Sequence, residues 1–283
     1  MLDLITAPKH GALAFDTPPP GVAADWTVPQ DWSRYTDEDH AVWDTLFARQ
    51  MALLPGRAVE GFISGVDALG LDAPGVPELG RLNDRLYART GWHVICVPGL
   101  VPDPVFFEHL SNRRFPAGNF IRTRAQLDYL EEPDVFHDVF GHVPLLADPA
   151  VADFMEALGA LGLEALTIDA LPLVARLYWH TVEFGLARQD GALRIYGAGI
   201  LSSFGETRYS LESPVPHRHA FDLTRVLRTR YRSDAMQRTY FVIDRFEDVL
   251  PLVRRLDLAG LRERLADMPD LYPETADGSP PDG

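Results

Sequence analysis

The stretch Glu131-Glu132-Pro133-Asp134-Val135-Phe136-His137-Asp138-Val139-Phe140-Gly141-His142-Val143-Pro144 sets two imidazoles five residues apart among acidic and aromatic neighbours. On an ideal α-helix, roughly 100° per residue leaves positions i and i+5 about 140° apart. Histidines at i and i+4 share a face, as in the zinc metalloproteases; His137 and His142 do not. They converge on one ion only if the helix ends or distorts between them, and Gly141 and Pro144 stand where they would cause that. Taken alone, the spacing fits two ordinary surface or core histidines as readily as a metal site.

A third residue raises the metal reading. Tyr178-Trp179-His180-Thr181-Val182-Glu183-Phe184-Gly185 carries one carboxylate in an apolar, aromatic helical stretch. A buried carboxylate is costly unless it is paired, protonated or bound to a metal. Two histidines and one carboxylate, with no thiolate, are the ligand set of the non-heme iron oxygenases. The same set also holds zinc for hydrolysis, with Glu131 or Glu132 as base, so ligand identity leaves the chemistry open. His180 is a competing ligand, because i, i+3 geometry brings it to the side of Glu183. His217 and His219 fall in a polar loop, and His40, His93 and His109 lack partners at ligand spacing.

Outward from this core the pattern is mostly α with a few short strands. Apolar periodicity predicts helices over 37–54, 59–69, 76–90, 104–110, 150–161, 171–187, 220–227 and 246–265, the first capped by Thr36. Short strands are expected at 92–97 and 120–122, and Asp190-Gly191 marks a hairpin between 186–189 and 193–196. Residues 1–35, with Pro18-Pro19-Pro20, Trp26 and Trp32, suggest an extended arm laid over the body. Residues 268–283 read as a flexible polar tail, leaving 36–267 as a single catalytic domain.

The 283 residues are 46% hydrophobic and 10% aromatic, enough for a substantial core. A net charge of −15 and a pI near 4.9 argue against nucleic-acid or membrane-surface partners. The lone Cys96 excludes an intramolecular disulfide and reads as a buried small hydrophobe. The N-terminus lacks a secretion-signal pattern and no apolar run is long enough to span a bilayer, so the expected compartment is the cytoplasm.

Three blocks resemble a known family. The stretch 133–138 through His142-Val143-Pro144-Leu145-Leu146 is similar to the iron motif of the pterin-dependent aromatic amino acid hydroxylases. Tyr178-Trp179 with 181–186 resembles the segment that supplies their glutamate ligand, and Tyr196-Gly197-Ala198-Gly199-Ile200-Leu201-Ser202-Ser203-Phe204-Gly205-Glu206 a third block. The likeness covers roughly residues 90 to 250, in family order. It implies a helical basket around a deep site, Fe(II), a tetrahydropterin, and dioxygen as co-substrate. By position it implies His137, His142 and Glu183 as iron ligands and Arg122 as the partner of the amino acid carboxylate. A guanidinium fork suits that task, although an ion pair with Glu131, Glu132 or Asp134 is the plainer reading of Arg122. The resemblance also places Trp179, Ser202 and Ser203 near the substrate, and Gly99, Val101, Phe106 and Asp138 near the pterin.

Some positions depart from the family pattern. Asp138 stands where many animal members carry glutamate, Pro116 where they carry a histidine, and Ser233 where phenylalanine hydroxylases carry a branched aliphatic residue. The regulatory domain and tetramerisation helix of animal members are missing, as in the short bacterial type, which implies a monomer. That type usually acts on phenylalanine, so the expected reaction converts it to tyrosine; tryptophan and tyrosine remain alternative substrates.

Overall fold

The computed structural model describes residues 17–128, 130 and 132–281; the first sixteen residues of the expected arm and the carboxylate Glu131 lie outside it. Helix α1 (Asp37–Met51) opens with a reciprocal cap: Asp39 N–H donates to the Thr36 hydroxyl and Thr36 N–H to the Asp39 carboxylate. Helices α2 (Glu60–Leu69) and α3 (Leu79–Thr90) follow. Strand β1 (His93–Val97), helix α4 (Asp103–Ser111) and strand β2 (Arg114–Gly118) form a parallel βαβ unit, with Ile95 opposite Pro116. β2 was not expected, because Arg-Phe-Pro-Ala-Gly has no β-branched residue and a proline suits only an edge.

The segment 120–122, expected as a strand, has no ladder partner. Phe120 C=O accepts from Val135 N–H and Arg122 N–H donates to the Asp134 carboxylate, so the following loop satisfies its backbone.

Two segments take the wider π-helical turn, Phe136–His142 and Trp179–Glu183. The first runs into α5 (Val143–Leu146) and α6 (Pro149–Thr167), and the second continues α7 (Leu171–Tyr178). Beyond them lie the hairpin β3 (Leu186–Gln189) and β4 (Ala192–Ile195), then α8 (Ala198–Leu201) and α9 (Phe204–Glu212). Strand β5 (His217–Ala220), helix α10 (Leu223–Arg228) and strand β6 (Thr239–Ile243) complete a mixed sheet in the order β4-β3-β6-β5. The expected long closing helix is two, α11 (Phe246–Arg254) and α12 (Leu258–Leu265), because the Asp257 carboxylate caps a new helix through Gly260 N–H.

The described parts of the arm and tail make contacts with this body. Trp26 is buried with Val97 and Val101, and Val28 N–H donates to Cys96 C=O. Composition alone made 268–283 a loose tail. Instead Leu271 exchanges backbone hydrogen bonds with Arg228 and Arg230, and Pro273 C=O accepts from the Thr239 hydroxyl.

Aromatic packing fixes the first π-helical segment from behind. Phe136 and Phe140 stack at 4.7 Å, Trp43 of α1 meets Phe136 at 5.2 Å, and Phe62 of α2 meets Phe140 at 5.4 Å. At Gly65 the backbone of α2 approaches Pro144 so closely that an added Cβ would sit 2.1 Å from its carbonyl oxygen. Gly65→Ala should therefore lower stability by about 1–3 kcal/mol in denaturant unfolding. Gly61→Ala on the same helix, where a Cβ would lie 3.8 Å from Leu145, should be neutral or slightly stabilising. Equal effects at the two glycines would remove this contact as a determinant of the fold.

Candidate metal centre

The π-helical turns resolve the geometric problem of the five-residue spacing. Where an α-helix leaves i and i+5 well apart, a turn closed by i→i+5 hydrogen bonds brings them to one side. The second segment shows the bond directly: Phe184 N–H donates to Trp179 C=O at 2.9 Å. His137 Nε2 and His142 Nε2 stand 3.3 Å apart. Glu183 brings Oε1 to 3.2 Å from His142 Nε2 and Oε2 to 3.6 Å from His137 Nε2.

Bonds of about 2.1 Å place neighbouring ligand atoms about 3.0 Å apart around an octahedral ion and about 3.4 Å apart around a tetrahedral one. The three side chains therefore fit a metal ion, and no other group of three His, Cys, Asp or Glu residues among those described does. His180 is not part of the set. Its ring is buried, its Nε2 meets Thr229 C=O at 3.1 Å, and burial lowers its pKa to about 4.

The electrostatics suit ligands. Burial pushes the His137 imidazole down to about 4, against the pull of Glu183, so it is neutral near pH 7 with a lone pair to give. For Glu183 burial acts upward, but the charge and hydrogen bond of His142, then His137 and the Tyr178 hydroxyl, hold its carboxyl at about 2.

Ser202, expected beside the substrate, holds His137. Its hydroxyl lies 2.9 Å from His137 Nδ1 and 2.8 Å from Ala198 C=O. The carbonyl can only accept, so the single hydroxyl hydrogen goes there and Nδ1–H donates to the oxygen. That fixes the tautomer that leaves Nε2 bare toward the centre. Ser203, expected in the same role, caps α9 by accepting from Glu206 N–H at 3.3 Å.

Arg122 and Asp134 form a buried bidentate pair, Nε–Oδ2 2.8 Å and Nη2–Oδ1 2.9 Å. Asp134 also accepts from His137 N–H at 3.0 Å, tying the guanidinium to the first ligand. Burial alone would raise the Asp134 pKa; the hydrogen bonds and charge of Arg122 outweigh it and bring it below 3.8. Asp138 accepts from Gly118 N–H at 2.8 Å, and burial lifts it to about 7. Phe106 is half-buried, edge-on to Phe107 at 5.5 Å and to Tyr178 at 5.6 Å. Val101 is buried, while a Cβ added at Gly99 would meet nothing. Ser233 is exposed.

The indole of Trp179 stacks on Tyr231 at 4.3 Å, tilts against Phe184 at 4.8 Å, and donates to the Gln237 side chain at 3.0 Å. Sequence reasoning assigned no role to Tyr178, Tyr231 or Gln237. The motif signal covered Tyr178, but nothing local marks the other two, which reach the site from a loop some fifty residues away.

Ser202→Ala should weaken divalent metal binding about 10- to 100-fold in calorimetric titration with the fold intact. An unchanged affinity would mean that the hydroxyl does not set the His137 tautomer.

Residues 26–261 match the family of biopterin-dependent aromatic amino acid hydroxylases. The phenylalanine-4-hydroxylase of Caulobacter vibrioides is 54% identical over 254 residues, covering 90% of this chain and 86% of that protein. The Chromobacterium violaceum enzyme is 53% identical, covering 93% and 86%. Its crystal structure with iron(III) and oxidised 7,8-dihydrobiopterin superposes with a TM-score of 0.86 at 52% identity, over 92% of each chain. The form with iron and phenylalanine bound gives 0.85 at 50%, over 92% of this chain and 93% of that one. The chain belongs to the biopterin-dependent aromatic amino acid hydroxylases.

Proposed function

We propose that this protein is an iron(II)- and tetrahydropterin-dependent monooxygenase that converts L-phenylalanine to L-tyrosine with dioxygen. The observation that carries the reading is the convergence of His137, His142 and Glu183 through two π-helical turns, in a chain of this family. The hydrolase and scaffold alternatives share the ligand set but not the family. Relatives above 50% identity are phenylalanine hydroxylases, and structures of one of them hold iron with phenylalanine or with dihydrobiopterin.

Bound here, iron(II) and a tetrahydropterin supply dioxygen activation and two electrons, and so one oxygen atom for the ring. The chain's own residues bind and orient. His137 and His142 present neutral nitrogens and Glu183 a carboxylate, so the ligand set carries one negative charge. Asp134 occupies Nε and Nη2 of Arg122 and leaves Nη1 to pair with the substrate carboxylate. Trp179 walls the pocket for the substrate ring. Ser202 and Ser203 act through what they hold, His137 and the start of α9, more than by direct contact. On the other side, Gly99, Val101, Phe106 and Asp138 line the pterin site; the partly buried Phe106 ring offers a stacking face beside Tyr178.

The same reading takes residues 36–267 as the catalytic unit and the protein as a monomer in a reducing cytoplasm. Its one cysteine, Cys96, is free and buried. No helix among the described residues is long and apolar enough to cross a membrane.

The iron-loaded protein, given phenylalanine, a tetrahydropterin and air, should form tyrosine only when all are present. Glu183→Ala should lose bound iron and turnover together. Hydroxylation of tryptophan without tyrosine formation would keep the reaction class and overturn the substrate. No hydroxylated product from any aromatic amino acid, despite bound iron, would overturn the function.

A further inference from the structure

The wall that faces the substrate in this reading is held by residues that no motif marks. Trp179 lies one π-helical turn before Glu183, and its ring is fixed on two sides. One face stacks on Tyr231, with centroids 4.3 Å apart and planes 17° from parallel. Its Nε1–H ends on Gln237 Oε1 at 3.0 Å.

Gln237 is buried and has no freedom to reverse. Its Nε2 donates to Arg232 C=O at 2.7 Å and Ala235 C=O at 3.1 Å. The indole can only donate and the two carbonyls can only accept, so the amide has one orientation. Its backbone is pinned too: Gln237 N–H donates to Glu206 Oε1 at 2.9 Å, and that oxygen also accepts from the Tyr240 hydroxyl at 2.6 Å. Glu206 is buried on α9 and Tyr240 on β6, so loop 230–238 is anchored to the scaffold at the point where it grips the indole. A buried, multiply hydrogen-bonded network of this kind rigidifies what it holds.

An indole left without the acceptor could swivel about its side-chain torsions and widen the pocket; clamped, it presents one fixed surface. We propose that Gln237 is a positioning residue that determines aromatic specificity by holding the Trp179 indole against the substrate ring. The proposal rests on the reading that Trp179 lines the substrate pocket. In this proposal Gln237 acts through the indole rather than by contact with substrate or metal. Its effect therefore belongs in substrate binding and in the preference for phenylalanine over tryptophan, more than in the chemical step.

The test is steady-state kinetics of the iron-loaded enzyme with phenylalanine and with tryptophan, for Gln237→Leu, Trp179→Phe and the double variant. Gln237→Leu should raise KM for phenylalanine roughly five- to tenfold, the scale of one buried hydrogen bond. It should change kcat less and lower the phenylalanine-to-tryptophan ratio of kcat/KM. Trp179→Phe, which keeps a ring but removes the N–H, should itself shift KM. In that background Gln237→Leu should add nothing, because the bond it breaks is already gone. If leucine does not fold, Gln237→Asn keeps the amide but falls one methylene short of the indole and carries the same expectation. A KM unchanged by either Gln237 variant, or effects that simply add to those of Trp179→Phe, overturns the proposal. A Trp179→Phe enzyme with unaltered KM and selectivity overturns the reading of Trp179 as the substrate wall, which is a separate failure.

Discussion

Everything at this site depends on one departure from α-helical geometry: the widened turn that carries His137 and His142. Two ligands five residues apart are a liability on a regular helix, where they point apart, and an asset on a π-helical one. Such a turn is uncommon because its hydrogen bonds are poorly supported by local packing, so the surroundings must hold it. Here Phe136 and Phe140 stack on each other and are gripped by Trp43 and Phe62, while α2 closes on Pro144 just beyond the second histidine. The carboxylate ligand follows the same logic, since Glu183 ends the other π-helical segment.

With the turn in place, buried polar groups take over the fine positioning. Asp134 holds the Arg122 fork and the His137 N–H together, and Ser202 sets the histidine's tautomer from the opposite side. Gln237 does the comparable task for Trp179. None of these groups is stable alone in an apolar interior; each is tolerated because its partners are present and aligned. With a single cysteine and so no intramolecular disulfide, the chain holds its site through packing and buried hydrogen bonds.

Much of this was legible in the sequence, for identifiable reasons. The first helix carried its Thr36 cap and its period, and Asp190-Gly191 fell between the two strands it joins. For His137 and His142 to share an ion, their spacing required a helix that ends or distorts between them, without saying which. What stayed hidden was non-local. Strand β2 lacks β-branched residues and exists because α4 returns it to β1. The polar composition of the C-terminal stretch gave no sign that Leu271 pairs with the chain near Arg228. The resemblance placed Ser202 near the substrate, but nothing local signalled its contact with His137, sixty-five residues away. Gln237 was invisible for the same reason.

The central claim is tested most directly by a crystal structure of the iron(II)-loaded protein, with anomalous scattering recorded at the iron edge. The account predicts one iron, about 2.0–2.2 Å from Nε2 of His137, Nε2 of His142 and the Glu183 carboxylate, with both ligand-bearing turns still π-helical. Iron bound through His180, or a regular α-helix from 136 to 142 with only one of its histidines on the metal, would contradict it.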